Sequence, residues 1–240
     1  KMDSPVARYF GDQVPNGSIY VDNVSEASYF GNSSLRFVNS YNEHREAHPH
    51  GQRFRSLMLT DSAYTGVTQR QLILISVYSQ VLGVEYLFLP ELSPLVDALT
   101  EENADFDYFD AVTTENGVFV VLRYKKEIAN AYVVEKSVAE KMINFADLEK
   151  PSLYADSYKN WDDEFIRFSE LISNQTLIPV PMQFVPSNGY YFDFTGVPEM
   201  KEPSLLITQS YDSNWAGDNG QNITIKPTSL RFMFVTFESN

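Results

Sequence analysis

The three histidines of the chain lie within seven residues, at His44, His48 and His50. Imidazole nitrogens bind Zn²⁺ and similar ions, and glutamates stand beside them in the same segment. His44 and His48 would share one face of a helix at their four-residue spacing. Pro49 and Gly51 favour a loop instead. The segment therefore has two interpretations, a metal site and a solvated, weakly pH-responsive loop, and we expect the loop.

Aromatic residues provide a second type of candidate site. Tyr211 and Trp215 flank a polar turn that follows a predicted strand. If exposed, their rings would stack on a sugar and form a carbohydrate-binding site; if buried, they would anchor a corner of a β module. Residues 105–110 alternate acidic and aromatic side chains. This alternation is typical of a half-exposed strand, and it would equally suit a surface on which a sugar stacks.

Carboxylates are clustered at residues 101–102, 105–110 and 162–164. A glycosidase needs two carboxylates that face each other across a cleft. A solvated acidic face explains each cluster more simply. The sequence contains no nucleophile elbow, phosphate-binding glycine loop or dinucleotide fingerprint. We therefore assign no catalytic residue and expect no cofactor, apart from the metal ion that a hydrolase built on the histidine segment would require.

The composition is that of a folded acidic protein. The 240 residues include 18 Lys and Arg against 32 Asp and Glu, which gives a net charge of −14. Such a surface repels polyanions, so nucleic acid is not an expected partner. The 14% of aromatic residues predicts a substantial core, and the lack of cysteine excludes disulfides and a thiol nucleophile.

Several signals concern the location of the protein. Five Asn-x-Ser/Thr sequons favour an extracytoplasmic location, where N-glycosylation occurs. Their asparagines are Asn16, Asn23, Asn32, Asn174 and Asn222. The longest apolar runs, at residues 72–77 and 86–90, are shorter than the roughly 18–20 residues that span a bilayer. The chain starts Lys1-Met2-Asp3 without a signal-peptide pattern, and we expect it to be a piece of a longer protein.

The first 135 residues are predicted to form an α/β sheet domain. Residues 68–82 carry apolar side chains at helical spacing, and Gly83 is well placed as a left-handed cap. Residues 84–89 follow as an apolar strand covered by helices. The dipeptide Asn116-Gly117 predicts a hairpin between two β-rich runs.

The second half changes character. Residues 136–178 are predicted to be a helical connection, with helices that start near Ser137 and Asn160. Residues 179–240 contain short predicted strands separated by polar turns, which indicates a β-sandwich or jelly-roll-like module. This module would fold separately or pack with residues 1–135 as one unit. The predicted fold class is α+β.

A set of short segments follows an order that is found in one group of membrane proteins. The segments are residues 6–10 with 17–21, then 82–89, 116–124, 204–215 and 232–235. In this order they resemble the extracytoplasmic C-terminal region of multi-spanning membrane proteins of the GT-C glycosyltransferase type. The group includes oligosaccharyltransferase-like and YfhO-like proteins, and archaeal proteins labelled as related to 6-pyruvoyl-tetrahydropterin synthase. The chain departs from the pattern at Ser213, where Pro is usual, and at Glu85, where Lys is usual.

The resemblance implies a non-catalytic domain that faces the outside and is tethered to a membrane-embedded transferase of lipid-linked sugars. Its partners would be its own transmembrane domain and a glycan or lipid-linked sugar. In such families the catalytic acid lies in a loop between membrane spans, and no residue here matches it. Two alternatives remain: a free carbohydrate-binding or adhesion module, and a metal-dependent hydrolase.

Overall fold

The computed structural model describes most of the chain in ten stretches. They are residues 9–10, 17–22, 49–59, 66–102, 105–114, 117–143, 158–185, 189–210, 223–228 and 232–237. The chain divides into two compact units, residues 1–128 and 129–240. Each contains helices and a sheet, so the predicted α+β class is confirmed. Within these stretches, no helix combines the length and the apolar character needed to cross a bilayer.

The first unit is built on a mixed four-stranded sheet. Its described elements, in chain order, are β1 (Ser18–Val21), α1 (Pro49–Met58), α2 (Gln69–Leu82), β2 (Val84–Pro90), α3 (Pro94–Asp97) with a π-helical turn (Ala98–Glu102), β3 (Phe106–Thr114) and β4 (Gly117–Tyr124). The spatial order is β1-β2-β4-β3. β1 runs parallel to β2, and the other two pairs are antiparallel.

Both faces of this sheet are apolar. One face carries Ile19, Val21, Tyr86 and Phe88 together with residues of β4. On the other face Tyr20 packs edge-on against Phe54 of α1, with ring centroids 5.4 Å apart. Burial on both faces is the reason why β2 reads as a continuous apolar run in the sequence.

Local signals set the bounds of α2 as predicted. The side chain of Thr68 accepts a hydrogen bond from the amide of Gln71 and caps the first turn. Gly83 follows the last turn with φ 63 and ψ 40, the left-handed conformation that glycine adopts without steric penalty. Because Val84 begins β2 directly afterwards, this turn fixes the angle between helix and strand.

The expected loop around residues 49–51 is a helix instead. α1 begins at Pro49, and His50 is buried in its first turn. Proline has no amide hydrogen, but the first residue of a helix has no intrahelical partner for one, so Pro49 fits there. The interpretation of His50 as part of a solvated loop is therefore wrong.

The second unit contains a five-stranded antiparallel sheet and a separate hairpin. Its described elements are β5 (Ala131–Glu135), α4 (Lys136–Ile143), α5 (Lys159–Ser173), β6 (Ile178–Pro179), β7 (Met182–Val185), β8 (Gly189–Phe192), β9 (Pro203–Ser210), β10 (Ile223–Pro227) and β11 (Phe232–Phe237). The five-stranded sheet has the order β10-β11-β9-β5-β6, and β7 pairs with β8.

Layers cover both faces of the five-stranded sheet. The β7–β8 hairpin packs Met182, Tyr190 and Phe192 against one face. On the other face, Phe232 lies edge-on to Phe165 and Phe168 of α5, with centroids 5.9 and 5.6 Å apart. The sequence-based division is different for two segments. It placed β5 in the first domain, but β5 pairs with β9 of the second sheet. It placed α5 in a helical connection, but α5 packs on that sheet.

Candidate functional site

Of the candidate histidines and turn aromatics, the structure describes His50. His44, His48, Tyr211 and Trp215 lie outside the described residues, while His50 is buried in α1. In the described part of the chain, no group of three or more His, Asp or Glu side chains is arranged to hold a metal ion.

Of the five sequon asparagines, the structure describes one. Asn174 is exposed in the turn that ends α5, where its backbone N–H donates to the carbonyl of Glu170 at 2.9 Å. The next residue, Gln175, has a positive φ of 56. A sequon in an exposed helix-terminal turn is sterically open to a modifying enzyme. Asn16, Asn23, Asn32 and Asn222 lie outside the described residues.

Polar and aromatic groups converge on the first sheet, around Arg123 of the internal strand β4. Two bulges flank it. In the β1–β2 ladder Ser18 pairs with Val84 and Ile19 with Tyr86, so Glu85 is an additional residue. In the β3–β4 ladder the register shifts between Tyr108 and Asp110, so Phe109 is an additional residue.

Both additional side chains reach Arg123. Arg123 is also the register partner of Tyr86 on one side and of Asp107 on the other. A bulge turns a side chain away from the alternation of its strand, which is how two neighbouring strands can supply Glu85 and Phe109 to the same cation. We call these five residues, Glu85, Tyr86, Asp107, Phe109 and Arg123, the Arg123 cluster.

The Glu85 carboxylate has two partners. One oxygen lies 3.6 Å from a terminal nitrogen of Arg123, and the other accepts the amide hydrogen of Gly17 at 2.9 Å. Gly17 can come this close because it has no side chain. A Cβ there would clash with Ile128 and would lie 2.6 Å from the Cβ of Glu85 and 2.7 Å from the carbonyl oxygen of Gly83. The carboxylate therefore links the start of β1 to β4.

Two aromatic rings also contact the guanidinium of Arg123. Its central carbon lies 5.9 Å from the ring centroid of Tyr86 and 5.8 Å from that of Phe109, within the range of cation–π attraction. The two rings are themselves 5.4 Å apart in an edge-to-face arrangement. The Arg123 side chain is 51% exposed and Phe109 is 47% exposed, so both contact solvent.

The same face continues into a group of rings that includes Tyr9 and Phe10. Tyr9 donates a hydrogen bond to Asp110 at 3.1 Å, and Phe10 contacts Tyr86 edge-on at 5.3 Å. Burial raises the pKa of Tyr9, and the Asp110 carboxylate raises it further. Burial also raises the pKa of Tyr86, reinforced by the charge of Glu85 and opposed by Arg123. Both phenols stay protonated at neutral pH and act as donors, not as bases.

A second polar cluster lies between α2 and the β3–β4 hairpin. The Ser76 hydroxyl donates to the carboxylate of Asp105, and Lys126 holds the same carboxylate at 2.7 Å. The Tyr124 hydroxyl is 3.4 Å from that of Ser76. Burial raises the pKa of Tyr124. Through these contacts the arrangement ties the helix to the hairpin, and Lys126 compensates the carboxylate charge.

A third polar group lies where β1 ends. The buried Tyr20 hydroxyl donates to Asp22 at 3.2 Å. Burial raises the pKa of Asp22, while the hydrogen bond from Tyr20 and the charge of Arg55 on α1 oppose the shift. This contact belongs to the packing of α1 on the sheet.

Sequence reasoning singled out residues 105–110 but missed Glu85 and Arg123. The signal that was available is charge within an apolar strand. Glu85 interrupts the run of β2, and Arg123 interrupts that of β4. Charged side chains are rarely tolerated there unless they are paired.

Comparison of the chain with protein-family models, with curated proteins and with solved structures gives no match.

Proposed function

We propose that the chain is a non-catalytic, extracytoplasmic accessory domain of a multi-spanning membrane protein of the GT-C glycosyltransferase type. The observation that carries this proposal is where the family-like segments fall. Residues 17–21, 82–89, 116–124, 204–215 and 232–235 include β1, β2, β4, β9 and β11 in whole or in part. β1 is an edge strand and the other four are internal strands, so the resemblance covers strands of both sheets.

The exposed sequon supports the external location. Asn174 stands at the surface in a turn, as the acceptor of an N-linked glycan must. Two carboxylates of the polar clusters in the first unit also suit an accessory role, because Glu85 is held by Arg123 and Asp105 by Lys126. In this proposal, sugar transfer belongs to the membrane-embedded part of the parent protein.

The location is testable by cysteine labelling, because the 240 residues contain no cysteine. Leu92 is 94% exposed in the turn after β2 and is a suitable position for a Leu92→Cys variant. The parent protein, produced in its native cell, would be treated with a membrane-impermeant maleimide before and after permeabilisation. We expect Leu92→Cys to be labelled in intact cells.

Ser79 provides the matched control, since its side chain is fully buried and cysteine has nearly the same shape. Ser79→Cys should react only after denaturation. The unsubstituted parent gives the background from cysteines elsewhere in its chain. Labelling of Leu92→Cys only after permeabilisation would exclude the external location. A parent gene without membrane spans would exclude the membrane protein itself.

A further inference from the structure

The half-exposed ring of Phe109 is the part of the Arg123 cluster that offers a flat apolar surface to solvent. Phe109 is the additional residue of the β3 bulge, and β3 is an edge strand of its sheet. Without the bulge, β3 would pair regularly with β4 and would have no additional residue at this position. Bulges at sheet edges often turn a side chain towards a functional site. The ring is held in place by Tyr86 and Arg123 but still exposes about half of its surface.

The groups around Phe109 match the two chemistries of a sugar ring. A pyranose has an apolar face of C–H groups, which stacks on an aromatic ring, and an edge of hydroxyls, which both donate and accept hydrogen bonds. Arg123 offers guanidinium donors in a rigid fork. Asp107 offers an exposed carboxylate, of which one oxygen accepts from Lys125 at 3.1 Å. Donors, acceptors and an apolar ring thus meet on the edge strand β3 and its neighbour β4.

The local charge selects the type of sugar. Three carboxylates (Glu85, Asp107 and Asp110) and two cations (Arg123 and Lys125) lie on or beside the cluster, so the local sum is 2 − 3 = −1. The whole chain carries −14. A uronic acid or a sugar phosphate would approach against this field, whereas a neutral sugar would not.

We propose that the Arg123 cluster is a binding site for a neutral saccharide, which stacks on Phe109 and is hydrogen-bonded by Arg123 and Asp107. Binding at this face does not require the domain to be attached to a membrane. The labelling experiment and the binding experiment therefore fail independently of each other.

The test is isothermal titration calorimetry of the 240-residue chain with four neutral trisaccharides: maltotriose, cellotriose, mannotriose and triacetylchitotriose. Trigalacturonate serves as the anionic probe. We expect at least one neutral trisaccharide to bind and trigalacturonate to bind more weakly. Phe109→Ala should weaken the binding of that neutral sugar about tenfold, because the stacking surface is lost. Phe109→Tyr should retain it.

Two further variants separate stacking from folding. Phe109→Leu keeps an apolar side chain against Tyr86 but has no flat ring, so it should also lose binding while its circular dichroism is unchanged. If Phe109→Ala unfolds, Phe109→Leu provides the test of stacking in its place. Tyr108, the neighbouring exposed aromatic residue at 59%, stands in register with Leu122 and not with Arg123. Tyr108→Ala should bind normally.

Four results would overturn the proposal. The first is that none of the four neutral trisaccharides binds. The second is that trigalacturonate binds as tightly as the best of them. The third is that Phe109→Leu binds as well as the unsubstituted chain. The fourth is that Tyr108→Ala weakens binding as much as Phe109→Leu does.

Discussion

Glu85 and Arg123 form an ion pair across neighbouring strands, although neither is the register partner of the other. Arg123 stands opposite Tyr86, and Glu85 reaches it because a bulge inserts one residue into the β1–β2 ladder. The other oxygen of Glu85 accepts the Gly17 amide hydrogen. One carboxylate of β2 therefore connects β4 with the start of β1.

The two partners of Glu85 can be separated by substitution. Glu85→Gln keeps an acceptor for the Gly17 amide and removes only the charge beside a half-exposed guanidinium, so we expect a loss of about 0.5 kcal/mol in the free energy of unfolding. Glu85→Ala also leaves the amide of Gly17 without its acceptor, and we expect a loss of about 2 kcal/mol. Urea unfolding measures both values. Equal losses would show that the Gly17 hydrogen bond contributes nothing.

Gly17 is predicted to tolerate no side chain. A Cβ there would meet Ile128, Glu85 and the backbone oxygen of Gly83, so Gly17→Ala should destabilise the first unit by about 2 kcal/mol. Gly66→Ala is the control. At Gly66 a Cβ has open space, but φ is +64, so strain alone should cost about 1 kcal/mol. A smaller loss at position 17 than at 66 would contradict the steric explanation.

The cap of α2 gives a test within a single helix. Thr68 accepts the Gln71 amide hydrogen at 3.2 Å, so Thr68→Ala should lower the free energy of unfolding by about 1 kcal/mol. Thr68→Ser keeps the hydroxyl and should retain nearly all of the stability. Thermal unfolding of the three proteins compares them directly. If the serine variant is as unstable as the alanine variant, the loss does not arise from the hydroxyl.

In the second unit, two phenylalanines of different burial offer a matched comparison. Phe168 of α5 is buried against Phe232, and Phe168→Ala should cost about 3–4 kcal/mol because it leaves a cavity. Phe237, at the end of β11, is 36% exposed, and Phe237→Ala should cost less than about 1 kcal/mol. Denaturant unfolding followed by far-ultraviolet circular dichroism measures both. Similar losses would mean that α5 contributes little to the core.

Asp22 should give the stability a pH dependence. Burial raises the pKa of Asp22 in the folded state, so the folded chain favours the protonated form. The stabilising contribution of that form is fully present below the ordinary aspartate pKa, about 3.9, and is lost as the pH rises through the folded-state pKa. Asp22→Asn should therefore be more stable than the unsubstituted chain at neutral pH, by a margin that shrinks as the pH falls. Urea unfolding midpoints measured across that pH range test the sign of this stability difference. An Asp22→Asn variant that is less stable than the unsubstituted chain at neutral pH would contradict the prediction.

Much of the secondary structure was determined by the sequence alone. The helical spacing of residues 68–82 and the glycine at 83 predicted α2 and its left-handed cap, and both are confirmed. The hairpin of β3 and β4 is also confirmed, with Thr114 paired to Gly117. These features depend on neighbours within a few residues, so local patterns are sufficient to specify them.

Tertiary structure decided the rest. Periodicity could not show that β5 pairs with β9, because strand pairing depends on contacts between residues far apart in the chain. Nor could it reveal the bulges at Glu85 and Phe109, since a bulge exists only relative to its partner strand. His50 was expected in a loop, but it is buried in a helix because a first-turn proline is compatible with helical geometry. The aromatic alternation at residues 105–110 was visible in the sequence. Only the register of three strands brought Phe109, Glu85 and Arg123 together.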